Sequence, residues 1–167
     1  MIDVELDHLG EWGEDQDWQS IAERAVGEAF AVASVPTDHA ISISVSLSDN
    51  ATVHTLNREW RSKDQPTNVL SFPMLEADEL DGLQYPPMGN AGMEILLGDI
   101  ILANGVCVAE AEEKGIPLPH HVTHLIIHGT LHLLGYDHID EIEAEHMEVL
   151  EVKALASLGL ANPYSEN

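Results

Sequence analysis

Cations are scarce in this sequence: 6 Lys and Arg stand against 30 Asp and Glu in 167 residues, a formal charge of −24. In a weakly hydrophobic chain that imbalance would point to disorder, but 44% of the residues are apolar, so the acid coats a folded surface. The single cysteine, Cys107, excludes an intramolecular disulfide and a cysteine-based zinc site. Long apolar runs are missing as well. The best of them, residues 95–103, is broken by Gly98 and Asp99 and falls far short of the roughly 20 residues that a membrane span needs. The first residues, Met1-Ile2-Asp3-Val4-Glu5, lack the positive start and apolar stretch of a secretory leader, and the expected compartment is the cytoplasm. No Gly-x-x-x-x-Gly-Lys loop for a nucleotide cofactor and no nucleophile elbow occurs. Length and apolar content fit one domain over residues 1–167.

The periodicities that are present predict an α/β fold. Apolar residues alternate with acids over residues 2–8 and with serines over 40–47, the pattern of half-buried strands. The serine face is expected to meet solvent or another strand edge. A third strand is predicted over 68–72, closed by Pro73, and a buried fourth over 94–103. Ile21, Ala22, Ala25, Val26, Ala29 and Phe30 recur at helical spacing within 18–33. Ser48 or Asp49 can cap a helix that runs to Arg61 with Val53, Leu56, Asn57 and Trp60 on one side. Three more helices are predicted: 104–114 ended by Gly115, 119–134 ended by Gly135, and 140–158 opened by the capping box Asp140-x-x-Glu143. Residues 76–93, with acids, two prolines and three glycines but no period, read as a loop.

Seven of the ten histidines fall between His120 and His146, which makes this stretch the place to look for chemistry. His128 and His132 lie four apart on a predicted helix, so they project from one face about 6 Å apart along its axis. That spacing suits two imidazoles on one metal ion. Gly135 can take the left-handed conformation that ends the helix, letting the chain double back and bring His138 to the same point. Three nitrogen ligands leave a tetrahedral position for water, the catalytic rather than the structural zinc arrangement. Imidazoles favour zinc, copper or nickel over magnesium or calcium, and one zinc ion per chain is expected.

The pattern His-x-x-x-His-x-x-Gly-x-x-His is the ligand skeleton of metzincin proteases, but Gly129 stands where their general-base Glu would be. A peptidase without that carboxylate lacks the group that deprotonates the zinc water, which directs a similar metal helix to another hydrolysis. His124, one turn upstream, reads as a hydrogen-bonding support for its neighbour rather than a substrate group, and His120, His121 and His146 read as surface residues. Asp137 either orients a ligand imidazole or caps the turn. Met147 and Cys107 read as core.

Half of the chain's cations, Arg58, Arg61 and Lys63, lie within six positions. Cations at a helix end complement its dipole, and that alone accounts for such a cluster. On an acidic protein beside a metal site, however, a cationic spot also fits an anionic substrate such as a phosphodiester. A guanidinium can grip two phosphate oxygens and stabilise charge that builds during cleavage; Arg61, nearest the loop, is assigned this role, with Arg58 and Lys63 as substrate-binding cations.

The segment Leu56-Asn57-Arg58-Glu59-Trp60-Arg61-Ser62-Lys63-Asp64-Gln65-Pro66-Thr67-Asn68-Val69-Leu70-Ser71-Phe72-Pro73, the string from His128 to His138, and Leu97-Gly98-Asp99-Ile100 between them resemble the YbeY family of bacterial rRNA maturation factors. The resemblance runs from about residue 40 to 150 and is most specific at the histidines. It implies a zinc-bearing α/β fold with a small mixed sheet, here four-stranded and packed with helices. It also implies a metal-dependent, single-strand-specific endoribonuclease acting in 16S rRNA 3′-end maturation and ribosome quality control. The family's metal histidines correspond to His128, His132 and His138, and its functional arginine to Arg61.

A non-catalytic ribosome-assembly factor with a structural metal is the alternative from another class, and another metal-dependent hydrolase is a third; Gly129 disfavours a peptidase. At −24 the chain should be repelled by bulk RNA, since RNA binding normally gains from counterion release by Lys and Arg. This fits an enzyme delivered to rRNA or the small ribosomal subunit by a ribosome-associated protein partner.

Overall fold

Four segments with strand periodicity pair into one sheet in a computed structural model that describes residues 2–36, 39–83, 94–137 and 140–164. These are β1 (Ile2–His8), β2 (Ile41–Ser48), β3 (Val69–Pro73) and β4 (Ile95–Ala103), in the order β1-β2-β4-β3. β1, β2 and β4 run parallel, and β3 pairs antiparallel with β4, so the sheet is mixed. Alternation sets the register: Ile41, Ile43, Val45 and Leu47 of β2 are at most 1% exposed and join the large core. The serine face of β2, which lies between β1 and β4, is partly covered: Ser42 is buried and Ser44 and Ser46 are half-buried.

The helices are α1 (Trp18–Val32), α2 (Asn50–Arg61), α3 (Ala77–Gly82), α4 (Asn104–Lys114), α5 (Leu118–Leu133) and α6 (Glu141–Ser157). Asp49 caps α2 by accepting from the Thr52 amide at 2.8 Å, and Asp140 caps α6 by accepting from Glu143 N at 2.8 Å. α1 packs on β1, while α5 packs on β3 and β4 and is flanked by α1, α4 and α6. Among the described residues no helix is long and apolar enough to cross a membrane.

Residues 76–93 depart from a plain loop: α3 occupies part of them, the amide of its N-cap residue Glu76 donating to Glu79 Oε1 at 3.1 Å, and residues 84–93 lie outside the described residues. Trp60 also departs from expectation. Val53 and Asn57 of α2 are buried, but the apolar cluster beneath this helix has only Val53, Leu70 and Ala103 as buried members and ends before its last turn, leaving Trp60 69% exposed.

One irregularity in the sheet bears on the site. The β2–β4 register slips so that Leu97 is an extra residue on β4, a bulge followed by Gly98 at φ +154°. A Cβ on Gly98 would collide with the Phe72 carbonyl and approach Leu133 Cδ2 to 2.7 Å. Glycine here lets β3 and α5 both close onto β4.

Candidate functional site

The last two turns of α5 carry His128 and His132, and the helix stops where expected: Gly135 adopts φ +103°, while Tyr136 N donates back to Leu131 O at 3.0 Å. This turn also supplies a carbonyl to the histidine before it. His132 Nδ1 lies 2.9 Å from Tyr136 O, and a carbonyl only accepts, so Nδ1 carries the proton. His128 is fixed from the other side, its Nδ1 donating to Glu151 Oε1 of α6 at 3.2 Å.

Both imidazoles are thereby set as Nδ1–H tautomers with the lone pair on Nε2, and the two Nε2 atoms face each other at 3.1 Å. Two lone pairs at that distance repel each other and need a cation, a proton or a metal, to bring them together. Zinc with tetrahedral nitrogens at 2.0–2.1 Å requires donors about 3.3 Å apart, so the pair fits zinc. His138, the third expected ligand, lies outside the described residues, and among the described residues no group of three His, Cys, Asp or Glu side chains converges on one point.

Glu151 is buried to 1% exposure and was not anticipated. Its Oε1 accepts from His128, from His124 Nε2 at 2.7 Å and from the Tyr164 hydroxyl at 2.9 Å. Burial alone would raise its pKa, but the hydrogen bonds from His124 and His128 outweigh that and hold the carboxyl below the usual range. A sequence signal for it did exist. The buried residues of α6 are Met147, Leu150, Glu151, Ala154 and Leu155, so an acid sits on the apolar stripe of a helix. No spacing points to Tyr164.

His124 thus supports His128 through the shared carboxylate. The expectation for His121 is corrected: it is 1% exposed, because the first turns of α5 are covered by α4, and its Nε2 meets Glu110 Oε1 at 2.9 Å. Burial lowers its pKa. His120 and His146 are exposed, and Met147 and Cys107 are core, with burial pushing the Cys107 thiol up to about 12. Asp137 is exposed at the cleft.

Across from the histidines, α2 ends at Ser62 in a left-handed conformation, φ +57°, and Asn57, buried beneath it, donates Nδ2 to Gln65 O at 2.8 Å. That bond pins the connection to β3. Arg61 reaches over the strand: one Nη donates to Ser71 O at 2.6 Å, and the guanidinium carbon lies 5.7 Å from the Phe72 ring centroid. Arg61, Lys63, His128 and His132 line one cleft of about 760 Å³, whose floor includes Gly129 and Ser71. Arg58 is exposed on α2 and is not among the described residues that line this cleft.

Gly129 has a packing reason as well as a chemical one. A Cβ there would come within 3.2–3.3 Å of three side-chain carbons of Ile100, so α5 rests directly on β4. A glutamate at this position would start out against Ile100.

A sequence model described as Endoribonuclease YbeY matches residues 8–159. Curated relatives carrying that name include a Zymomonas mobilis protein, 54% identical over 100% of this chain and 95% of its own length, and a Sphingopyxis alaskensis protein, 50% identical over 99% of both. A solution structure of a Thermotoga maritima protein covers 99% of this chain and 100% of its own at a TM-score of 0.54 and 20% identity, which supports the fold. Family match and full-length identity together with the histidine pair and its cleft lead to one assignment: the chain belongs to the YbeY endoribonuclease family.

Proposed function

We propose that this protein is a cytoplasmic, zinc-dependent, single-strand-specific endoribonuclease that acts in 16S rRNA 3′-end maturation and ribosome quality control. The observation that carries the reading is the pair of Nε2 atoms of His128 and His132, 3.1 Å apart in a cleft shared with Arg61 and Lys63. His128, His132 and His138 are the metal ligands, one ion per chain. Bound zinc supplies Lewis acidity toward a phosphoryl group.

The chain's own residues do the rest. Arg61 is anchored through one nitrogen to Ser71 O, so its remaining N–H groups are available to phosphate oxygens at a fixed place in the cleft. Guanidinium charge there stabilises the negative charge that accumulates as the phosphodiester is cleaved. Lys63 adds a second, exposed cation to the cleft, and Arg58 an outer one. Gly129 supports a nuclease over a peptidase, since it supplies no carboxylate beside the histidine pair, and a larger side chain there would press on Ile100. A ribosome-associated partner offsets the repulsion between this acidic surface and RNA.

The test measures zinc content and cleavage of a single-stranded rRNA fragment by the wild type, Arg61→Ala and His132→Ala. The expected pattern is cleavage by the wild type, zinc without cleavage for Arg61→Ala, and neither for His132→Ala. A zinc-free wild type, or full cleavage by either variant, overturns the reading.

A further inference from the structure

Behind the histidine pair, three donors from separate parts of the chain meet one buried oxygen. Glu151 Oε1 of α6 accepts from His128 Nδ1 at 3.2 Å, from His124 Nε2 at 2.7 Å and from the hydroxyl of Tyr164, which follows α6, at 2.9 Å. Glu151 is 1% exposed, so its carboxylate is shielded from bulk solvent, and these donors supply its hydrogen bonds among the described residues. His124 is committed to the same group: its Nδ1 is buried with no partner among the described residues, and its ring stands edge-on to that of Tyr164 at 5.6 Å. The cost of burying an acid and an unsatisfied imidazole nitrogen is hard to explain by packing, because an apolar side chain at 151 would fill the helix stripe without it.

We propose that Glu151 is a positioning residue for the metal ligand His128, and that Tyr164 and His124 hold Glu151 in place. The hydrogen bond to Nδ1 fixes the tautomer that leaves the Nε2 lone pair toward His132, holds the ring at its angle, and makes the imidazole a better donor to a cation. Tyr164 ties the segment after α6 into this arrangement, so the end of the described chain contributes to the affinity of a site on α5. This rests on the metal reading above.

The experiment titrates the protein with Zn²⁺ against a chromophoric chelator, for wild type, Glu151→Gln and Tyr164→Phe, and records the histidine ring-nitrogen NMR signals of the metal-free forms. Glu151→Gln keeps the shape and removes the charge; it is expected to weaken zinc binding by about 10- to 100-fold and to shift His128 away from the Nδ1–H tautomer. Tyr164→Phe leaves the carboxylate and is expected to weaken binding by a smaller factor in the same direction. A merely structural role would lower the melting temperature of the metal-free protein without moving zinc affinity or tautomer, and that result for a folded Glu151→Gln overturns the proposal. Should Glu151→Gln not fold, Tyr164→Phe decides, with wild-type affinity overturning it. A wild type that binds no zinc defeats the metal reading itself, whereas equal affinity in wild type and variants defeats only the role of Glu151.

Discussion

The two walls of the cleft are built on opposite principles. The histidine wall is a helix end packed against β3, β4 and α6, with each ring locked by a hydrogen bond from behind: His132 by the Tyr136 carbonyl, His128 by buried Glu151. The cationic wall is a helix end and loop in which Arg58, Arg61 and Lys63 are all exposed, with Arg61 tethered to Ser71 O. On the proposed function, geometry is fixed where two nitrogens would share an ion, since a misplaced ligand loses its bond, and looser where charge would act on a flexible polyanion, because Coulomb attraction falls off gently with distance. Loss of a ligand on the first wall should therefore be all-or-none, whereas changes to its supports and to the second wall should be graded.

The largest effect is expected from His128→Ala, His132→Ala or His138→Ala, each of which should remove the bound zinc, abolish cleavage and eliminate the rise in melting temperature that zinc gives the wild type. Elemental analysis and thermal melts with and without zinc check this, and full occupancy in any one variant removes that residue from the ligand set. Next comes Arg61→Ala, which should keep zinc and fold but lower kcat by about 10²- to 10³-fold, the cost of losing a donor aimed at developing charge. Arg61→Lys should recover little of it, because a lysine cannot both hold Ser71 O and present a fork to phosphate. Recovery to near wild-type kcat would show that charge alone suffices on this wall.

A smaller effect tests the seat of the histidine helix. Gly129→Ala places a methyl within 3.2–3.3 Å of Ile100 and should destabilise the fold by about 1–3 kcal/mol while zinc binding weakens, since α5 must lift from β4. Urea denaturation of the metal-free protein measures the first and chelator competition the second. An Ile100→Val partner change that relieves the contact should return part of both.

The same contrast explains what could be read from the sequence. Strand alternation, the caps Asp49 and Asp140, and Gly115 and Gly135 at helix ends are local signals, and the elements they mark form as expected. The histidine pair is local too, four residues on one helix. What was not legible depends on distant partners. Glu151 is 23 residues from His128 and Tyr164 is 40 from His124, so no spacing connects them, although an acid on the α6 stripe could have been noticed. His121 reads as surface from its polar neighbours, because nothing local reveals that α4 will cover it and offer Glu110. α3 has six residues, too few to establish a helical period amid acids and glycines.

The smallest expected effect concerns salt. Two cations, Arg61 and Lys63, line the cleft, and Arg58 lies outside it. At about −0.7 per phosphate contact on a single strand, they give a log–log slope of binding against salt of about −1.4, or about −2 if Arg58 joins. Lys63→Ala should flatten the slope by about 0.7 and leave zinc affinity untouched. Glu151→Gln should do the reverse, with the slope unchanged and zinc affinity lowered. Because so few counterions are released, naked RNA should be cut slowly and with little sequence preference, and small ribosomal subunits should be better substrates. Rate series on an rRNA fragment and on intact subunits, over a range of salt at fixed zinc, measure both. A slope near −6 on naked RNA would require a basic surface larger than six cations among thirty acids can provide. Equal rates on the two substrates would remove the need for a delivering partner, and a Lys63→Ala slope identical to wild type would leave Arg61 as the cleft residue that senses phosphate.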